Sequence, residues 1–167
     1  NVNGYPAFAW PYASPDYLHN SGGVGVNLPN PVFATVSAHE GEAVFGFIAY
    51  HGPEPNFREY LSAPLSEPMV PGVTYTISFW ITSGESAWYG GAGCNHVGIR
   101  FSDGPLIQAD HEPIGGTPNV EIPDIYWNTE WEQFTFSYTA DDTYDRLTIG
   151  NFYNDAATDA DGFGVPA

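Results

Sequence analysis

The sequence contains no Lys, and only three Arg (Arg58, Arg100 and Arg146) stand against twenty acidic residues, for a net charge of -17. Phosphate backbones and anionic lipid headgroups need cationic partners, so nucleic acid and a membrane surface are poor ligands for this chain. One cysteine, Cys94, leaves no internal disulfide and no Cys-rich zinc site. No apolar run approaches the ~18 residues of a membrane span, so membrane insertion is not expected. There is no GxSxG elbow for a serine hydrolase and no lysine for Schiff-base chemistry. The segment Asn1-Val2-Asn3-Gly4 carries neither an initiator Met nor a signal peptide, so the chain is expected to be a mature or excised piece of something longer.

What is present is apolar and aromatic. Hydrophobic residues make up 43% of the 167 residues and aromatics 16%, which is too much for a disordered chain despite its charge. The length is that of one ordinary domain, so residues 1–167 are expected to form a single unit. Nineteen Gly and fifteen Pro are scattered along the chain and leave no room for a long helical period. Between these breaks lie short β-branched and aromatic runs. In Val73 to Thr82, Tyr75, Ile77, Phe79 and Ile81 share one face, with Thr76, Ser78, Trp80 and Thr82 on the other. Further strands are expected over Glu42 to Tyr50, Phe57 to Ser62, His96 to Ser102, Glu132 to Thr139 and Arg146 to Tyr153. Period-two alternation with turn-rich links predicts an all-β fold, an antiparallel β-sandwich of jelly-roll type. Residues 1–40, rich in Pro, Gly and aromatics, read as an irregular segment lying across it. Gly84 to Gly93 and Pro105 to Asp124 read as long loops.

The order of segments resembles a family of carbohydrate-binding-like jelly-roll domains of secreted and surface proteins of gliding and related bacteria. The matching pieces are Ser14-Pro15-Asp16-Tyr17-Leu18, His39-Glu40-Gly41-Glu42-Ala43, Phe57-Arg58-Glu59-Tyr60-Leu61, Leu65-Ser66-Glu67-Pro68, Val97-Gly98-Ile99-Arg100-Phe101-Ser102, Trp131, and Leu147-Thr148-Ile149-Gly150-Asn151. They span about Ser14 to Asp161. The resemblance implies a galactose-binding-like sandwich, an extracellular or cell-surface location, and a glycan or surface polysaccharide as ligand. Members open on an Asn-Pro-Ser-Phe-Glu-like strand and close on paired aspartates, and both are missing here. The chain is therefore expected to lack terminal strands, leaving a sheet edge open to self-association or to attachment within a larger polypeptide.

Sugar rings present apolar C–H faces, so a lectin-like site needs aromatic platforms beside amide and carboxylate groups. The candidates are Trp88 and Tyr89 in the Gly-rich loop, Trp80 on the non-core face of its strand, Tyr126 and Trp127, and Trp10 near the start. Trp88 ranks first, because Ala87 and Tyr89-Gly90-Gly91 give it little strand to pack in, whereas Trp131 reads as packing. Asp155, Asp159 and Asp161 with Gly162 form a short acidic loop that suits calcium, although a full loop ending in a bidentate Glu is absent. His39, Glu40 and Glu42 lack the second His of a zinc protease. Glu130 with Glu132, or Glu40 with Glu42, could share a strand face as glycosidase carboxylates do, but any acidic chain offers such pairs. Arg58 is expected to form an internal ion pair. The expectation is a non-catalytic recognition or adhesion module, with a structural subunit of a surface filament or adhesin as the alternative.

Overall fold

The structure is a computed structural model and describes residues 16–23, 27–30, 35–84 and 92–162. Its ten strands are β1 (Asp16–His19), β2 (Ala43–Gly46), β3 (Leu61–Pro64), β4 (Thr74–Ile81), β5 (Ala92–Cys94), β6 (Val97–Ser102), β7 (Val120–Glu121), β8 (Glu132–Thr139), β9 (Arg146–Asn151) and β10 (Ala160–Gly162). One 3-10 turn, Asp155–Ala157, is the only helical element among the described residues. Every strand pairing is antiparallel.

The longest ladder joins β4 to β8, and its register follows from the alternation in both sequences. Tyr75, Ile77 and Phe79 face Tyr138, Phe136 and Phe134 on the half-buried side, while Thr74, Thr76 and Ser78 face Thr139, Ser137 and Thr135 toward solvent. A shift of one residue would turn every aromatic outward, so burial of one face specifies the pairing. That face lies on a four-stranded sheet of order β3-β9-β6-β7. Ile99 and Phe101 of β6 form the centre of the core with Met69, Val120 and Ala140, packed against Leu147 and Ile149 of β9 and the β4 and β8 aromatics. Each such fully buried side chain contributes about 1.5–3 kcal/mol. This is an antiparallel β-sandwich.

The second face of the four-stranded sheet is covered too, by chain rather than by a sheet. Tyr60 and Phe152 are buried there under Leu106 and Ile114. Tyr60 lies so close to Gly150 that a Cβ at that position would come within 2.4 Å of its ring. Its hydroxyl donates to the Asn151 carbonyl at 2.7 Å and accepts from the Ile114 N–H at 3.1 Å. The covering segment begins in the stretch expected to be a strand from Phe57, where ladder bonds are replaced by others. The Arg58 N–H donates to the His111 carbonyl, and the Glu59 N–H to the Ile48 carbonyl. The strand proper therefore starts at Leu61.

Arg58 itself is fully buried, as the expectation of an internal ion pair requires. Its guanidinium donates to Asp155 Oδ1 at 2.8 Å and to the Phe57 carbonyl at 2.9 Å, and it sits 5.5 Å from the centre of the Tyr50 ring. Asp155 Oδ2 accepts from the Asn56 N–H at 2.7 Å, and Asn56 Oδ1 accepts from the Asp155 N–H at 2.9 Å. Positions 99 residues apart are thus tied reciprocally. Other boundaries shift for similar reasons. The strand expected to Tyr50 ends at Gly46, and beyond it the Ile48 N–H donates to the Glu59 carboxylate at 3.0 Å. β6 begins after His96, whose φ of 63° breaks the extended backbone.

Four segments read as irregular or as loops contribute strands. Residues 16–19, inside the expected irregular segment 1–40, pair with β2. The acidic loop 155–162 folds into the 3-10 turn and β10, which pairs with β5 in the expected Gly-rich loop. Val120 and Glu121 form an edge on β6. Each is too short for alternation to reveal, and each is held by a partner far away in sequence.

Two outcomes follow from this packing. Asp155→Ala leaves Arg58 buried without its carboxylate and is expected to cost about 3 kcal/mol, read from the urea midpoint, with much of the loss recovered in Arg58→Met/Asp155→Ala. Burial pushes the Tyr60 and Tyr126 phenols up to about 12 from an ordinary 10.0. Because the folded chain holds these protons more tightly, their stabilising contribution is complete below pH 10 and is lost as pH rises through about 12. Phenolate absorbance should therefore show a late-ionising step to which Tyr60 and Tyr126 contribute beside Tyr138 and Tyr144, and that step should shrink in Tyr60→Phe/Tyr126→Phe.

Candidate functional site

The β1–β2 pair forms its own two-stranded unit, and a cleft of about 720 Å³ lies among it, the Phe47–Tyr50 segment and the end of β4. In β1, alternation sends Leu18 into the interior, at 1% exposure, and places Asp16 on the same side. Asp16 and Leu18 both line the cleft. Its aromatic wall includes Phe45, Phe47, Tyr50, Phe57, Phe79, Trp80, Tyr126 and Trp131, and its carboxylates belong to Asp16, Glu40, Glu54 and Glu59.

Trp80 and Trp131 are organised by His39. The imidazole stacks on Trp80 with ring centres 3.9 Å apart and planes 21° apart, and it meets Trp131 edge-on at 6.1 Å. Trp131 Nε1 donates to the Ser37 carbonyl at 2.9 Å, which fixes the ring. At the far side Phe57 stacks on His111 at 4.3 Å and meets His51 at a tilt at 5.2 Å. The carboxylates differ in setting. Glu59 is buried and accepts from the Ile48 N–H, so its position is held by backbone. Asp16 has no donor to its carboxylate among the described residues, and burial alone pushes its pKa above the ordinary 3.8.

Of the residues expected to bind a ligand, Trp80 lines this cleft and is 43% exposed. Trp127 is exposed at 57% but does not belong to the cleft lining. Tyr126 is not a free platform: its ring packs in the core with Cys94, Val97 and Ile122, edge-on to Phe134 at 5.4 Å, and its hydroxyl donates to the Ile81 carbonyl at 2.7 Å. Alternation explains this, because Tyr126 turns inward and leaves its neighbours Ile125 and Trp127 outward. Trp10, Trp88 and Tyr89 lie outside the described residues. Trp131, read as packing, lines the cleft.

The three aspartates of the acidic loop take separate partners. Asp155 pairs with Arg58, Asp159 Oδ2 accepts from Asn95 at 3.4 Å, and Asp161 Oδ1 accepts from the Gly162 N–H at 2.7 Å. Among the described residues no group of three or more His, Cys, Asp or Glu side chains is placed to hold a metal ion. His96 immediately precedes β6, which pairs with β9 and β7 rather than with β4, the strand of Trp80. Its Nδ1 meets the Glu121 carboxylate at 3.2 Å, and its ring is tilted against Tyr153 with centres 4.5 Å apart. The Cys94 thiol is buried, which raises its pKa to about 11 and keeps it protonated and unreactive at neutral pH.

Asp16, Glu59, Phe47 and Tyr50 were not singled out by sequence. Alternation within Ala43 to Tyr50 was visible, but the approach of Asp16 to that segment depends on the Asp16↔Gly46 register. The molecule is therefore an all-β antiparallel sandwich bearing an aromatic and acidic cleft at one side. A scan of family models, a search of curated proteins and a search of solved structures find no match to this chain. No helix among the described residues is long and apolar enough to cross a membrane.

The setting of Asp16 has a measurable consequence. A carboxyl whose pKa is raised by folding binds its proton more tightly in the folded chain, so its charge costs stability at neutral pH and the cost is relieved as pH falls toward 3.8. Asp16→Asn is expected to raise the Tm at pH 7, with the advantage over the parent chain shrinking as the solution is acidified. Equal Tm differences at neutral and acid pH would refute this.

Proposed function

We propose that this chain is a non-catalytic carbohydrate-recognition module of jelly-roll type that acts outside the cell. The observation that carries the reading is the cleft, in which an indole, Trp80, stands beside further aromatic rings and carboxylates. Aromatic faces take the C–H side of a sugar, carboxylates accept hydrogen bonds from its hydroxyls, and a volume of about 720 Å³ matches sites for small molecules and oligosaccharides. The family resemblance points the same way. His39 stacked on Trp80 supports it further, since it locks the indole and lowers the entropy lost on binding.

A glycan array probed with and without calcium tests the reading, the calcium arm addressing Asp159 and Asp161, the two loop carboxylates not committed to Arg58. Trp80→Ala is expected to weaken binding by about tenfold or more, the factor that ~1.4 kcal/mol represents. Absence of binding in both conditions, or binding indifferent to Trp80→Ala, Trp127→Ala and Trp88→Ala alike, would overturn it.

One observation favours the alternative of a filament or adhesin subunit: Ile125 and Trp127 project together from the surface at 42% and 57% exposure. If this patch is a subunit contact, sedimentation will show concentration-dependent assembly that Trp127→Ser abolishes. The recognition reading expects a monomer whose sedimentation is unchanged by that substitution.

A further inference from the structure

The whole chain holds three cationic side chains besides histidine, and the fold places none of them on the cleft. Arg58 is fully buried and paired to Asp155. Arg100 donates to the Gly115 carbonyl at 2.5 Å, with Gly116 packed so closely that a Cβ there would touch its guanidinium. Arg146 is half-buried, with its Nε enclosed. None of the three lines the cleft, whereas Asp16, Glu40, Glu54 and Glu59 do. A uronate or sulfate group entering this cleft would lose its hydration without gaining a lysine or arginine partner and would meet like charge. A sugar amine would meet the reverse situation. Asp16 is half-buried on the cleft wall, and no described group donates to its carboxylate, so an ammonium group there supplies the missing partner.

Resting on the glycan reading above, we propose that the cleft ranks sugar chains by charge, taking amine-bearing chains over neutral ones and excluding acidic ones, with Asp16 as the residue that selects the amine. Trp80 supplies the stacking surface common to all three classes. Asp16 then decides among them.

The test compares three oligosaccharides of equal length by calorimetry: an N-acetylglucosamine oligomer, its deacetylated counterpart at mildly acid pH where the amines are charged, and a galacturonate oligomer. The deacetylated chain is expected to bind about tenfold tighter than the acetylated one, with no measurable binding of the uronate. Asp16→Asn should abolish the preference for the amine while leaving the acetylated chain bound. Asp103→Asn, an exposed carboxylate outside the cleft, should leave the preference intact. Binding of none of the three would overturn the glycan reading and this inference together. Uronate bound as well as the amino sugar would overturn the charge ranking alone. A preference lost equally in Asp103→Asn and Asp16→Asn would assign it to net charge and overturn the role of Asp16.

Discussion

The interaction on which the rest depends is the buried ion pair of Arg58 with Asp155. A guanidinium removed from water is costly unless its charge and most of its N–H groups are met, and here Asp155, the Phe57 carbonyl and the Tyr50 ring meet them. The reciprocal Asn56–Asp155 bonds make the contact directional. Through it the segment before β3 is held against the turn after β9. That places Tyr60 over Gly150 and closes the second face of the four-stranded sheet. It also sets Glu59 where its carboxylate replaces a ladder bond at Ile48. That contact lies in the Phe47–Tyr50 wall of the cleft.

The cleft in turn is the part of the molecule where stability is conceded. Several buried polar groups elsewhere find partners within the fold: Thr148 with Ser62, Asn151 with Thr158, and the Tyr60 hydroxyl with two backbone groups. The Asp16 carboxylate has no donor among the described residues, and burial makes its charge unfavourable. Uncompensated charge of this kind is what a binding site retains when the compensating group arrives with the ligand. The rigid stacking of His39 on Trp80 beside it fits the same division of labour, with a preformed apolar surface and a polar group left for recognition.

Much of the sandwich was legible from alternation. The β8 boundaries, Glu132–Thr139, coincide with the sequence reading, and β4 and β6 agree within one residue at each end. The shared face of Tyr75, Ile77 and Phe79 follows from alternation alone. What alternation missed are β1, β5, β7 and β10, two to four residues each, whose existence depends on partners supplied by remote parts of the chain. The site was legible in part. Trp80 stood out because it breaks an otherwise hydroxyl-bearing face, whereas Tyr126 and Trp127 looked equivalent as neighbours and proved opposite in burial.

Composition and periodicity by themselves determined the all-β class, the inward faces of the long strands, the absence of a disulfide and the scarcity of cations, because each depends only on which residues are present and on their spacing along an extended backbone. Tertiary structure alone decided that Arg58 is spent on Asp155, that the acidic loop is tied through Asp155 and Asp159 to the remote residues Arg58 and Asn95, and that Asp16 reaches the wall of a cleft built largely from residues more than twenty positions away. Local sequence carries no record of such meetings. They follow from burial of the strand faces, which brings distant backbone into register and leaves the side chains between to find partners wherever that register puts them.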